Sequence, residues 1–564
     1  MSQREAMRGT LYNWKRFWCP RGGRINLADG GFLPDPDEEW GRAFNPDLVP
    51  FQAIAHVPGL ILLGEPGIGK STALRGERDL SATTGHDTFW ADLREYQTDF
   101  RLHQDVFESQ VLRSWRQGAH HLDLFLDSLD ECGMRIDNVA AVLAHELEQL
   151  PVDRLSLRIA CRTAEWPSGL ESALTRLWGD GVVKAFELAP LRRVDVTEAA
   201  EATPGVDRDT FLREVERREA VPLAIKPVTL KFLLNTYRRK QGFPATQAEL
   251  YTEGCRCLCE ESNPSRRDAR LLGDLTPEQR LAVAARIAAT MVFCNRYAIW
   301  TGPDRGDVPS EDIRVEDLVG GTEGRPDVAI TVSPDAVRET LDTGLFSSRG
   351  LERIGWAHQT YAEFLAARYL VERELPADRI MALITHPDGK IIPQLRETAA
   401  WLAGMASEVF RAIMRADPEV LLRSDVATAD VKDRANLIEQ LLLRYDRGEL
   451  VDSDWDVKMM YGKLNHPGLG DQLRPYIADK QKGIVVRRVA IDIAEACEIR
   501  AFQDDLVQVA LDQTESHTAR VQAAFAISRI GDDWAKQILK PLAMGQAGDD
   551  PDDELKGCGL KCVW

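Results

Sequence analysis

The stretch Gly64-Glu65-Pro66-Gly67-Ile68-Gly69-Lys70-Ser71-Thr72 decides how this chain is read. It follows the apolar run Leu60–Leu63 and precedes residues with helical character. G-x-x-x-x-G-K-[ST] between a buried strand and a helix is the pattern of a phosphate-binding loop. The glycines let backbone N–H groups turn toward an anion, and the following helix N-terminus adds partial positive charge. Lys70 is then expected to reach the β- and γ-phosphates, and Ser71 to place its hydroxyl on Mg²⁺. The other reading of the stretch is a glycine-rich turn.

Working outward, short β-rich runs alternate with helical patterns from 51 to 190. Gly59–Leu63, Thr88–Leu93, Leu122–Asp127, Ser156–Cys161 and Val182–Leu188 read as strands, with Asp105–Gln117, Asp137–Leu150 and Ser168–Trp178 as helices between them. Such alternation predicts an α/β domain, a parallel sheet with flanking helices, whose ligand sits beyond the carboxyl ends of the strands. Leu122–Leu126 ends in Asp127-Ser128-Leu129-Asp130-Glu131. An acid at a strand end beside a phosphate loop can hold Mg²⁺, directly or through water, and Asp130 and Glu131 can position and deprotonate an attacking water. For any single acid here, a solvated turn is the simpler reading.

Composition limits the alternatives. Of 564 residues, 70 are Lys or Arg and 89 Asp or Glu, a formal net charge of −19. That charge opposes binding to a phosphate backbone, so nucleic acid is an unlikely partner for this portion. The short basic run Tyr237-Arg238-Arg239-Lys240 reads as a solvated helix face. No apolar run approaches a membrane span, and Met1–Glu5 lacks a signal-peptide plan. Ten scattered cysteines suit reduced thiols and a cytoplasmic location. Cys255-x-Cys257-x-Cys259 has no common zinc spacing and reads as residues on different helix faces.

Residues 1–50 form an aromatic-rich extension containing Tyr12, Trp14, Phe17, Trp18, Trp40 and Phe44. It reads as a strap on the following domain or, alternatively, as an aromatic ligand platform. Residues 191–265 read as helical, with Asp207–Arg218, Val228–Arg238 and Gln247–Glu261 as candidates and a break between Pro222 and Pro227. Residues 266–375 mix the helices Pro277–Val292 and Pro334–Thr343 with a strand-like pair, Val328–Val332 and Arg353–Trp356. Residues 376–564 are helical. Arg487–Ala494 echoes Arg520–Ile527 about thirty-three residues on, and Glu554–Leu560 opens like a third copy. This predicts a HEAT-like α-solenoid, incomplete at Trp564 and continued in a longer parent protein.

Leu124-Phe125-Leu126-Asp127-Ser128-Leu129-Asp130-Glu131 resembles the NACHT signature: a magnesium aspartate, a small residue, then two acids. NACHT proteins are STAND signal-transduction ATPases, among them NOD-like receptors and bacterial anti-phage sensors. Phe89–Arg94 resembles the family's second strand. Leu157–Thr163 resembles its sensor strand, which implies that Arg162 approaches the γ-phosphate. Leu188–Leu191 looks like the opening of the first helical domain, and Val221–Pro227 like the stretch whose proline, here Pro227, covers adenine. Gly355–Ala367 is similar to the family's winged-helix motif, whose histidine, here His358, clamps the β-phosphate of ADP. Trp356 stands where Phe is more usual. Without the resemblance, Arg162 reads equally well as an ion-pair partner and His358 as a packed residue. The resemblance spans about 55–370, and the chain as a whole reads as an N-terminal extension (1–50), a nucleotide-binding domain (51–190), a helical domain (191–265), a winged-helix domain (266–375) and helical repeats (376–564).

The expected function is an ATP/ADP-switched sensor. ADP holds a closed monomer; a protein trigger, in bacterial relatives commonly a phage protein, binds the repeats; ATP and Mg²⁺ then favour a homo-oligomer. An effector domain lies beyond Trp564 or acts in trans. The competing readings are a continuously cycling P-loop ATPase, such as a remodelling motor or DNA loader, and a nucleotide-dead scaffold. GTP is the weaker nucleotide, because no Asn-Lys-x-Asp element is found.

Overall fold

The computed structural model describes residues 14–83, 87–132, 134–163, 166–260, 274–303, 308–350, 352–450, 458 and 460–564. Tyr12 and the expected helix end at Glu261 lie outside them. The chain divides into two units, Met1–Ala366 and Ala367–Trp564.

The first unit is built on a seven-stranded sheet. Its strands are β1 (Phe17–Pro20), β2 (Val49–Pro50), β3 (Gly59–Gly64), β4 (Asp87–Asp92), β5 (Leu122–Asp127), β6 (Leu155–Arg162) and β7 (Val183–Leu188). Their order is β2-β1-β7-β3-β6-β5-β4. The five strands from β3 to β7 run parallel, and β1 and β2 add antiparallel at the β7 edge. Burial on both faces explains the continuous apolar runs. Ile61, Leu63, Leu124, Leu126, Ile159 and Cys161 pack on one side with Leu143, Leu147, Leu170 and Leu174 from helices Ile136–Glu148 and Ser168–Trp178. Leu60, Leu62, Phe125 and Ala160 face the other way, against Leu74 of helix Lys70–Thr83 and against Trp18 and Phe51. Each fully buried leucine contributes roughly 2 kcal/mol.

The strand order creates a crevice. The connection leaving β3 passes β6 and β5 to reach β4, whereas the one leaving β6 passes β3 to reach β7. The two depart in opposite directions, so a cleft opens at the carboxyl ends of β3 and β6, where ligands bind in open α/β sheets. Gly64 and Arg162 are register partners there.

Residues 14–50 lie along this sheet. Trp18 is buried in its core, and Arg16 donates to the carbonyls of Ala189 (2.7 Å) and Ile68 (3.0 Å). Trp40, by contrast, is 76% exposed and borders, with Phe44 and Val194, a cavity of about 440 Å³.

Three local expectations are corrected. The span Asp105–Gln117 is not one helix: a π-turn, His103–Phe107, ends before Ser109, whose hydroxyl accepts from Leu112 N and caps a new helix, Gln110–Gln117. The strand-like pair near 330 and 355 does not pair with itself. Ile330–Thr331 joins Thr322–Glu323 in a two-stranded sheet, whereas Arg353–Trp356 lies between Phe346–Ser348 and Ile299–Trp300 in a four-stranded one. Cys255 and Cys259 share the buried face of helix Gln247–Cys259, one turn apart, with Cys257 less buried. Burial pushes the Cys257 thiol up to about 11, away from the reactive thiolate.

Every regular element described in the second unit is a helix, apart from an isolated bridge between Thr385 and Ile391. The repeated arginines do the same work in each copy. Arg487 donates to the carbonyl of Ile477 (3.1 Å) and Arg520 to that of Ala510 (3.1 Å), in each case ten residues earlier. Arg487 also grips the buried Glu515 carboxylate through both oxygens (2.7 and 2.9 Å). Removing one member of a buried pair strands the other. Arg487→Met should therefore destabilise this unit by about 3–5 kcal/mol in urea unfolding. Arg487→Met/Glu515→Leu should recover most of that loss.

Candidate functional site

The loop 64–72 links the end of β3 to helix Lys70–Thr83, the strand-loop-helix context its pattern demands. Gly67 (φ +75°) and Gly69 (φ +96°) are left-handed, a conformation that favours glycine. Gly67 also has no room for a side chain, because a Cβ there would collide with Val228. Ile68 is buried in the core beneath the loop, Pro66 is half-buried, and Thr72 faces outward on the first helical turn. Lys70 folds back on the loop and donates to the carbonyls of Gly64 (2.5 Å) and Glu65 (3.2 Å). Burial lowers the pKa of its ammonium, and Asp130 partly opposes that.

Opposite the loop, β5 ends at Asp127. Ser71 Oγ donates to Asp127 Oδ1 (3.1 Å). Asp127 is 1% exposed and its Oδ2 has no hydrogen-bond partner among the described residues. Burial raises its pKa, with the neighbouring Asp92 adding to the effect. An anionic oxygen buried without a partner is the feature a divalent cation would satisfy. Mg²⁺ needs only one or two protein carboxylates, its remaining ligands being water and phosphate. Ser71 and Asp127 therefore fit such an ion.

Ser128 adopts φ 60°, ψ 50°, a left-handed conformation that costs a non-glycine residue about 1–3 kcal/mol. The kink turns the chain into the short helical turn Leu129–Glu131 and aims both acids at β6. Arg162 receives them. Asp130 accepts from its backbone N (2.8 Å) and pairs with its Nε (2.8 Å), and Glu131 Oε1 accepts from its Nη2 (3.2 Å). Arg162 Nη1 reaches further, to the carbonyl of Asp342 (2.9 Å). The other Glu131 oxygen lies 3.8 Å from Arg94, which is itself paired with Asp92. Both candidate water-activating acids are thus held by arginine in this structure.

Pro227 is brought to the loop: its Cγ lies 3.4 Å from where a Cβ on Gly69 would stand, beside the Arg16 guanidinium. Lys226, whose charge is felt by His358, pairs with Glu65 of the loop and donates to Gly344 O (2.9 Å). Burial, and then the Lys226 charge, push the His358 pKa down to about 4. Its Nδ1 accepts from Thr360 N (3.2 Å), so the neutral ring carries its proton on Nε2, as a donor for an anion.

Sequence reasoning missed Arg16, Asp92 with Arg94, and Lys226. Asp92 carried a usable signal, since β4, like β5, ends in Asp and the two acids are register partners. Lys226 is the one charge within Val221–Pro227. Arg16 acts on residues 52 and 173 positions away and left no local trace.

No family model matches this chain, and no curated protein matches it. Among solved structures, two single-residue variants of Thermotoga maritima RuvB align at 12% identity with TM-scores of 0.29. The alignments cover 58% and 62% of this chain and 91% and 99% of those. A TM-score of 0.29 is too low to carry weight, so the site is read from its own residues. Among the described residues, no helix is long and apolar enough to cross a membrane.

Asp127→Asn removes a buried charge. The folded-state pKa of Asp127 is raised, so its contribution to stability is full below the unfolded value and lost as pH rises through the folded one. At neutral pH the charge is a burden. Asp127→Asn should raise the nucleotide-free Tm and abolish any further rise on adding Mg²⁺ with ATP, measured by calorimetry.

Proposed function

We propose that this chain is an ATP/ADP-switched signal-transduction ATPase of the STAND class, NACHT type. The carrying observation is the Arg162 junction. One guanidinium joins Asp130 and Glu131, which follow the strand ending in Asp127, to the carbonyl of Asp342, more than 170 residues further along the chain. The NACHT resemblance supplies the type, and with it the helical and winged-helix domains and the HEAT-like repeats.

In this reading Gly64–Thr72 cradle the phosphates and Lys70 turns from its own loop carbonyls to meet them. Ser71 and Asp127 hold Mg²⁺, which supplies charge neutralisation for the phosphate oxygens. Pro227 covers the adenine. His358, neutral with its proton on Nε2, donates to the β-phosphate in the closed state. Arg162 contacts the γ-phosphate when ATP replaces ADP, and in doing so releases Glu131 or Asp130 to orient and deprotonate water. Hydrolysis waits on that release and is slow and regulatory.

The trigger is a protein, reached through the C-terminal helices, and the response is homo-oligomerisation. Its setting is bacterial innate immunity against phage. The net charge of −19 favours a protein over a nucleic-acid partner.

The purified chain should carry adenine nucleotide, predominantly ADP, released on acid denaturation and detected by chromatography. Its steady-state turnover should lie far below the enzyme median of about 10 s⁻¹. Absence of any exchangeable adenine nucleotide overturns the proposal. Fast turnover stimulated by DNA would identify a cycling motor instead.

A further inference from the structure

Lys226 is 3% exposed, one residue before the proline that starts helix Pro227–Lys240. A buried ammonium requires partners, and those of Lys226 come from two distant segments. Its Nζ pairs with the carboxylate of Glu65, inside the phosphate loop, and donates to the carbonyl of Gly344 (2.9 Å). The same charge sits 5.7 Å from the centre of the Tyr361 ring, whose hydroxyl donates to Pro222 O (2.5 Å). Gly344 lies against the loop on its own account, since a Cβ there would stand 3.3 Å from Pro66 O.

Glu65 is the difficulty this arrangement resolves. An acid beside a polyanion site opposes the ligand, and in a partly buried setting that repulsion is weakly screened. Lys226 neutralises it, and the same ammonium ties the loop to residue 344.

We propose that Lys226 is a positioning residue of the nucleotide site, neutralising Glu65 while coupling anion binding at the loop to the docking of residues 342–361. The inference rests on the nucleotide reading above. Its two roles separate by mutation. In Lys226→Met the Glu65 carboxylate is stranded next to the phosphates and the tie to Gly344 is lost. In Lys226→Met/Glu65→Gln the tie is still lost, but no stranded charge remains.

The test is ADP affinity of the full chain, by fluorescent-ADP displacement, together with protease sensitivity of residues 342–361. Lys226→Met should weaken ADP at least tenfold, and the double variant should recover at least threefold of that loss while staying weaker than wild type by the coupling the lost tie carried. Glu65→Gln alone removes the opposing charge and leaves the Lys226 ammonium in place, so ADP should bind at least as tightly as to wild type. Protease sensitivity should be raised in both variants that lack Lys226. A Lys226→Met chain within twofold of wild type, or a double variant no better than Lys226→Met, overturns this inference alone. A wild-type chain that binds no adenine nucleotide overturns the nucleotide reading with it.

Discussion

The structure turns on the charges gathered at the carboxyl ends of β3 to β6. Lys70, Arg94 and Arg162 face Asp92, Asp127, Asp130 and Glu131 across one cleft. Asp127 and Arg162 are buried and the others half-buried, and ion pairs withdrawn from water rarely repay their desolvation against an apolar packing of equal volume. Asp127 retains an oxygen with no hydrogen-bond partner among the described residues, and a raised pKa. A cluster of that kind is weak evidence for stability and better evidence for a ligand that brings its own charges.

The remaining elements follow from the need to place those groups. Strand order opens the crevice, the left-handed Ser128 turns two acids toward Arg162, and the glycines at 67 and 69 keep the loop slim enough for Val228, Arg16 and Pro227 to approach. Arg162 and Lys226 then extend the site beyond the α/β sheet, each ending on a carbonyl in the segment 342–344. A nucleotide that displaces either cation from its present partners alters what holds that segment. In a two-state scheme, going from mostly closed to mostly open needs about 5.5 kcal/mol of differential affinity. Exchanging two buried cation contacts is of that order.

What was legible in the sequence was local. β3, β5 and β6 were visible because both their faces are buried, β4 and β7, only partly buried, because their short β-rich runs alternate with helical patterns, and all five end within a residue or two of expectation. Asp127, Asp130 and Glu131 were readable from their place one strand after the loop. Failures came where local pattern carries no information. Strands of two residues, such as Ile330–Thr331, have no periodicity from which to infer a partner. The break at Ser109 needed a cap to be recognised inside an otherwise helical run. The αL turn at Ser128 occurs at a residue that does not advertise it, and the hold of Arg162 on both acids became visible only when strand order set β6 beside β5. Likewise Arg16 reaches Ala189 only because β1 runs antiparallel along β7.

If nucleotide charge at the loop controls the docking of residues 342–361, amide hydrogen exchange across the first unit reads it directly. The full chain would be stripped of nucleotide and compared with and without saturating ADP. The account requires ADP to slow exchange both at Gly64–Thr72 and, by a comparable factor, at 342–346 and 357–361. Protection confined to the loop, with those two segments exchanging at unchanged rates, would contradict it.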